Sequence, residues 1–425
     1  MRSVFIRLLM LAVVTSSAIS PAMSQPERRA GGDARQQASL ASEKAEESTA
    51  AAAFDRMRVE GNTAVYNLDY KGARAIFQEM TKVSPDHPAG YVYLANNLWL
   101  ETLNSNRRLS SSLYSGGSFY VQDAVQDEAD LKRDREFNEL IKKAVALSKA
   151  RLQTNPRDVE ALYYQASALG LRAGYSLSVN RSFRRSIGDA NESVSLQKKV
   201  IKLDPAYTDA YLSIGLYEYV VDSLPWIWRT LARLAGIKGS KQKGVEHLLL
   251  VTERGKYTAD DARVLLIGLY SRENQPERAF EMINLLADKY PRNYLLGVER
   301  AAMLYRMGKA REGDQAFVAL LGSEHVTKAA VDLVNYQWGE AMTARGDDAS
   351  ALEKYREVIR WTRSDKGLVT LAHLRAGQAL DVLGKRPEAA AEYKAVMKRD
   401  NVFDSRKQAA EYLKKPYSKT PGGNT

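Results

Sequence analysis

Apolar and small residues recur along this chain at helical spacing, in segments of helix length that are separated by short polar turns. No stretch alternates apolar and polar residues over the length of a strand, so the pattern predicts an all-α protein. Prolines lie in several of the turns, where their missing N–H costs nothing and where they block helix continuation. Counting three residues on from each proline starts a helix whose eighth position is small. The four prolines are Pro85, Pro156, Pro205 and Pro291, and the small residues are Ala95, Ala166, Gly215 and Ala301.

This register divides the chain into about eight irregular helix pairs. The first helices are predicted near residues 54–67, 88–101, 159–172, 208–221, 260–273, 294–307, 332–345 and 370–383. Their partner helices are predicted near residues 70–83, 127–154, 187–203, 240–254, 276–289, 310–321, 348–361 and 386–398. A last amphipathic segment, residues 405–415, is expected to cap the exposed apolar end of the array.

One residue template recurs in these pairs: a small residue, a second small residue twelve positions later, and a large apolar residue four positions after that. Gly61, Ala73, Phe77 and Pro85 show it whole, and the groups Ala301-Gly313-Phe317, Gly339-Ala351-Tyr355 and Gly377-Ala389-Tyr393 repeat it. This spacing resembles the tetratricopeptide (TPR) repeat, two antiparallel helices in about 34 residues. The resemblance covers residues 54–400 and is weaker through residues 105–257. It implies a right-handed superhelical solenoid with a concave binding surface and no catalytic centre.

The ends of the chain have a different composition. Residues 1–24 are typical of a signal peptide, with Arg2 and Arg7 before a short apolar run and a small-residue cleavage site. A retained anchor is the alternative. Residues 25–50 are predicted to be a flexible leader and residues 416–425 a disordered tail. Between them, the sequence predicts N-terminal TPR units with basic insertions over residues 51–257 and regular units with the capping helix over 258–415. An exported, periplasmic location is expected, with membrane association as the alternative.

Three insertions lengthen the middle repeats, at residues 105–125, 173–187 and 222–243, each at the turn inside a helix pair. Equivalent turns of a solenoid project from one edge, so the insertions are expected to form one ridge. They carry net charges of +1, +3 and +4, which concentrates the basic excess of a chain with pI ≈ 9.4. The basic residues of this ridge are Arg107, Arg108, Arg181, Arg184, Arg185, Arg229, Arg233 and Lys241, with Trp226 and Trp228 among its aromatic residues.

Catalytic and metal-binding motifs are absent from the sequence. The four histidines stand alone, without a second ligand at helical spacing, and there is no cysteine. The glycine-rich stretch from Gly239 to Gly244 lacks the Lys-Ser/Thr of a phosphate loop. We therefore expect a protein that is not an enzyme and that uses no cofactor, metal or small-molecule substrate. A nucleic-acid partner is not expected either, because an exported protein meets little nucleic acid and RNP-like and helix-turn-helix signatures are missing.

In TPR proteins the first helices line the groove with their second, fifth, ninth and twelfth positions. The resemblance implies groove residues that include Arg58, Asn62, Asn96, Trp99, Tyr163, Tyr219, Tyr305 and Tyr336. Aromatic and amide side chains suit an extended peptide. Packing between repeats is the alternative role for Trp99 and the tyrosines.

Some TPR domains clamp a C-terminal carboxylate with a basic residue and an asparagine on the first helix, followed by an asparagine and two basic residues on later helices. Arg58 and Asn62 resemble the opening pair. Tyr93, Glu160 and Tyr164 stand where the later polar and basic residues are needed, so the clamp is incomplete.

The segment from Leu224 to Ile237 has two interpretations. Ile227, Leu231 and Leu234 share one helical face, while Arg229 and Arg233 lie on another. Such a helix could pack over the edge of the repeats, the favoured interpretation, or lie in a membrane interface. The sequence thus predicts a scaffold of the cell envelope that binds a protein or peptide in its groove. The alternative function is docking on anionic lipid or lipopolysaccharide through the basic ridge.

Overall fold

The computed structural model of the protein describes residues 51–105, 128–179, 183–234, 238–328 and 330–419, and across these residues every regular element is helical. The predicted signal peptide and leader, most of the first insertion and the residues after 419 lie outside this part of the chain. In chain order the α-helices are α1 (51–66), α2 (Tyr70–Val83), α3 (Pro88–Ser105), α4 (Glu128–Thr154), α5 (Val159–Ser178), α6 (Phe183–Leu203), α7 (Tyr211–Asp222), α8 (Trp226–Leu234), α9 (Lys241–Arg254), α10 (Ala259–Arg272), α11 (Pro276–Lys289), α12 (Tyr294–Arg306), α13 (Ala310–Leu321), α14 (Val331–Ala344), α15 (Asp348–Arg360), α16 (Lys366–Val382), α17 (Arg386–Met397) and α18 (Ser405–Lys414).

These helices confirm the all-α repeat fold, and most begin and end within a few residues of the predicted bounds. A 3₁₀ turn at Thr208–Ala210 precedes α7. The second insertion is different from the prediction. Residues 173–178 continue α5, and residues 183–187 open α6, so most of the inserted residues lengthen two paired helices instead of forming a turn. The third insertion contains an additional helix, α8.

Close contact between the helices of a pair explains the small residue at the eighth position. A Cβ atom on Gly339 would lie 2.7 Å from the ring of Tyr355, and one on Gly377 would lie 2.5 Å from the ring of Tyr393. Both tyrosines are buried. The recurring template is therefore a packing rule, in which each glycine leaves room for an aromatic ring of its partner helix.

The turns inside the regular pairs repeat one backbone conformation. Gly308, Gly346 and Gly384 each have a positive φ, between +74° and +86°, in the turn between the first and second helix of their pair. Asn274 takes the same region at the equivalent turn between α10 and α11. A single left-handed residue ends the first helix and reverses the chain, and glycine and asparagine adopt this region most readily.

The chain forms two compact units. Among the described residues, the first unit contains residues 51–101 and 129–262, and the second contains residues 102–105, Glu128 and residues 263–419. In the first unit the paired helices α5 and α6 pack along their length, as do α7 and α9. In the second unit each pair from α12–α13 to α16–α17 packs in the same way, and α18 covers α17.

The segment after α18 lies against the second unit as far as the described residues extend. The backbone N–H of Tyr417 donates to Asp381 Oδ2 at 2.8 Å, and Lys419 Nζ donates to Asp348 Oδ2 at 2.7 Å. Tyr417 also contacts Tyr412 edge to face, with ring centroids 5.2 Å apart. Residues 416–419, which were predicted to begin a disordered tail, therefore have specific partners on α15, α16 and α18.

Two glycine-to-alanine substitutions should have opposite effects on the free energy of unfolding. Gly377→Ala should lower it by about 1–2 kcal/mol, because the new methyl group overlaps the buried ring of Tyr393. Gly268→Ala should raise it by about 0.5–1 kcal/mol, because α10 gains helix propensity and the space at that position is open. Urea unfolding followed by circular dichroism measures both changes. Destabilisation of similar size by both substitutions would contradict the packing rule.

Candidate partner-binding site

Arg58 of α1 lies at the centre of a polar and aromatic cluster in the first unit. Its side chain is 1% exposed. The guanidinium forms an ion pair with Asp55 and donates to the hydroxyl of Tyr164 at 3.3 Å. Its Cζ atom also lies 4.4 Å from the ring centroid of Tyr257, at cation–π distance. A buried charge of this kind needs such partners, because desolvation alone would be strongly unfavourable.

Further contacts join α1 to residues about 200 positions later in the same unit. Lys256 Nζ donates to Asp55 Oδ2 at 2.9 Å, and the hydroxyl of Tyr66 donates to Asp261. Asp209 fixes the intervening turn by accepting the backbone N–H of Tyr257 at 3.1 Å and other donors of the same turn. The first unit therefore holds its own N-terminal helix against α5 and the turn between α9 and α10.

The positions compared with a carboxylate clamp come together in this cluster. Arg58 contacts Tyr164, and both Tyr93 and Glu160 lie close enough to interact with its charge. The protein's own Asp55 and Glu160 thus supply carboxylates next to Arg58. The guanidinium is therefore already paired with a carboxylate from within the chain.

Glu160 is held in its charged form by its neighbours. Burial alone would raise its pKa, but a hydrogen bond and charge from His87 and the charges of Arg151 and Arg58 outweigh burial and lower the pKa to about 2. The Oε2 atom lies 3.1 Å from His87 Nε2 and 3.1 Å from Arg151 Nη2. His87, which the sequence analysis expects to stand alone, is therefore part of an ion network with Glu160 and Arg151.

The other predicted groove residues of the first unit are mostly packed inside it. Asn96, Trp99, Tyr163 and Tyr219 are buried, and Asn62 is half-buried. Trp99 Nε1 donates to Ser178 Oγ at 2.9 Å. In this structure these side chains have neighbours of the same unit as their partners, which favours the packing alternative for Trp99 and Tyr163. Direct contact with another molecule stays a prediction.

The predicted groove residues of the second unit, Tyr305 and Tyr336, are also buried. The hydroxyl of Tyr305 donates to Asp314, and Trp338 Nε1 donates to the same carboxylate at 2.8 Å. Burial raises the pKa of Tyr305, and the hydrogen bond with Asp314 acts in the same direction. Both tyrosines therefore remain protonated at neutral pH as structural residues of the second unit.

A different set of residues in the second unit is less deeply buried. We define the open stripe as Gly268 of α10, Ala302 of α12, Glu340 of α14 and Arg375 of α16, which belong to successive first helices. Gly268 is exposed, with no neighbouring atom within 4 Å of where its Cβ would lie, and the other three are half-buried. Arg375 Nη2 donates to Glu340 Oε2 at 2.9 Å. The stripe thus consists of two small residues, Gly268 and Ala302, and an ion pair between Glu340 and Arg375 that joins α14 to α16.

Part of this stripe was missed by the sequence analysis, although a signal was present. Gly268 and Ala302 occupy the ninth position of their first helices, which is a groove position by the TPR resemblance. Their side chains are too small to suggest binding on composition alone. Arg375 lies outside the four expected positions, and its contact with Glu340 becomes visible only in the structure.

Only one part of the predicted basic ridge can be placed. Arg107, Arg108 and Arg181 lie outside the described residues, and Arg184 and Arg185 are known only as part of the backbone of α6. Arg229 pairs with Asp222 at 3.6 Å, Arg233 is exposed, and Lys241 Nζ lies 5.5 Å from the ring centroid of Tyr219. The ridge as a single surface stays a prediction.

The helix pairs, their shared turn and their glycine–aromatic contacts define an all-α helical-repeat protein whose repeats resemble the TPR repeat. No protein-family model and no curated protein matches the chain. The chain is similar to several solved structures. Yeast Tom70 is 13% identical, covering 83% of this chain and 86% of that chain, with a TM-score of 0.39. A tetratricopeptide repeat protein from Parabacteroides merdae is 14% identical, covering 76% and 98%, with a TM-score of 0.31. A human IFIT1 dimer with m7Gppp-AAAA is 12% identical, covering 85% of each chain, with a TM-score of 0.40. The fold assignment rests on this chain's own repeats.

The low pKa of Glu160 predicts a specific loss of stability in acid. A carboxyl group whose folded pKa is about 2, against an ordinary value of 4.5, stabilises the fold above pH 4.5 and loses this contribution as pH falls towards 2. Glu160→Gln should therefore cost roughly 3 kcal/mol at neutral pH and progressively less below pH 4.5. Urea unfolding across this pH range measures the difference.

Glu139→Gln is the matched control, because the Glu139 side chain is exposed and its nearest cation, Lys142, is 3.8 Å away. It should change stability little at any pH. If the difference between the parent and Glu160→Gln were independent of pH, the ion network would not hold Glu160 in its charged form.

Proposed function

We propose that this protein is a non-enzymatic scaffold of the cell envelope that binds a partner protein along the open stripe of its second unit. The observation that carries the proposal is that Gly268 is exposed and has open space around it. The next first helix carries a small residue, Ala302, at the equivalent position. In the first unit, the corresponding predicted positions are filled by the chain's own side chains. The accessible helix face of the second unit is the better candidate for a partner.

The chemistry of the stripe favours an extended segment of protein. Small residues let a partner backbone approach the helices closely, since no side chain stands in the way. Glu340 and Arg375 add a charged pair to the stripe, and their mutual ion pair and the hydrogen bond from Tyr355 to Glu340 would keep them oriented before binding. Protein binding is also what the resemblance of the repeats to the TPR repeat implies.

The location is proposed on the sequence alone. Arg2, Arg7 and the apolar run after them support export, and the periplasm is the compartment we propose. Within the described residues, no helix combines the length and the apolar character that a bilayer crossing needs.

Site-specific crosslinking in intact cells tests the partner proposal. A photoreactive residue at position 302 should give a discrete protein adduct, because Ala302 lies in the stripe. Gly268→Arg in the same chain should remove that adduct, since the long side chain fills the open space on the neighbouring first helix.

The matched control is Val318→Arg, which adds the same side chain at an exposed position of α13, on a second helix. It should leave the adduct from position 302 unchanged. Equal loss with both arginine variants, or an adduct that survives Gly268→Arg, would contradict binding along the open stripe.

A further inference from the structure

Helix α8 presents three apolar residues to solvent. Trp226 is 71% exposed, Ile227 is 52% exposed and Leu234 is 81% exposed. These three residues fall within about 100° of one another around the helix axis, so they form one face. A surface helix of a globular protein normally buries such a face. The favoured interpretation of this segment, that the face of Ile227, Leu231 and Leu234 packs over the edge of the repeats, therefore does not hold for Ile227 and Leu234, which are exposed.

The attachment of α8 to the first unit involves its polar side. Arg229 Nη1 donates to the backbone oxygen of Asp222 at 3.1 Å and lies 3.6 Å from the carboxylate of the same residue. Asp222 ends α7, which packs against α9. Among the described side chains of α8, Arg229 thus contacts the end of α7 while Trp226, Ile227 and Leu234 are exposed.

The charge of the surrounding segment indicates what covers this face. Residues 226–245 contain no Asp or Glu, and their basic residues are Arg229, Arg233, Lys238, Lys241 and Lys243. Arg233 and Lys238 are exposed. Basic residues that border an exposed face with tryptophan at one end suit the boundary between headgroups and acyl chains of an anionic membrane. Each basic residue near such a surface adds to the attraction.

We propose that α8 docks the protein on anionic phospholipid, with Trp226, Ile227 and Leu234 inserted between the headgroups and Arg233 and Lys238 at the lipid phosphates. This inference is independent of the partner proposed for the open stripe, because all of its residues belong to the first unit. It identifies one defined helix, within the predicted basic ridge, as the lipid-binding element.

The absence of cysteine from the chain allows a site-specific test. Leu234→Cys in the full chain is labelled with an environment-sensitive fluorophore and mixed with vesicles of phosphatidylglycerol and phosphatidylcholine in equal parts. The emission should shift to the blue, because the probe enters an apolar layer. Vesicles of phosphatidylcholine alone should give little shift, and added salt should reduce the shift by screening the charges.

Two further variants make the outcome specific. Val318→Cys carries the same label at an exposed position of α13 and should show no shift. Arg233→Gln combined with Lys238→Gln should weaken vesicle binding of the Leu234 probe at least about tenfold. Lys385→Gln with Lys398→Gln removes the same charge at exposed sites on another helix pair and should leave it unchanged.

The proposal would be overturned by the absence of a shift at position 234, or by equal shifts at positions 234 and 318. Equal shifts with both kinds of vesicle would show that docking does not require the anionic headgroup. A shift that depends on protein concentration without lipid would identify a second copy of the chain as the occupant of this face. Circular dichroism of each variant confirms that the helices remain folded.

Discussion

Burial of the Arg58 guanidinium is the constraint on which the arrangement of the first unit depends. A charge that is almost completely removed from water needs several compensating partners, and no short segment can supply them all. The chain supplies Asp55 from the same helix, Tyr164 from α5 and Tyr257 from a turn far along the sequence. The positions of these three elements are therefore coupled.

The two units share the same repeat template but differ in the side chains at the other positions of their first helices. In both, a small residue on the first helix admits an aromatic ring from the second, as with Gly61 and Phe77 in the first unit and Gly339 and Tyr355 in the second. This rule sets the spacing within a pair and leaves the outward positions of the first helices free to vary. In the first unit those positions carry large side chains that pack internally. In the second, Gly268 and Ala302 leave the helix surface accessible.

Local rules made the fold predictable, and long-range contacts limited what could be predicted of the sites. Proline positions and small residues gave most helix bounds closely, because both act within a few residues of where they stand. The burial of Arg58 depends on contacts with residues that lie 106 and about 200 positions further along the chain. The hydrophobic periodicity of the sequence does not predict such contacts. For α8 the amphipathic pattern was visible, but packing and membrane docking require the same pattern. Exposure of Trp226 and Leu234 shows that these two side chains do not pack on the repeats.

Hydrogen exchange of the full chain tests most directly whether Arg58 holds α1 against its own unit. The amides of residues 51–66 should exchange slowly in the parent protein, because α1 is fixed by contacts with α5 and the turn before α10. In Arg58→Met the apolar stem is retained and the ionic contacts are lost, so α1 should lose protection while α5 keeps it. Rapid exchange of α1 in the parent protein, or unchanged protection in Arg58→Met, would contradict this account.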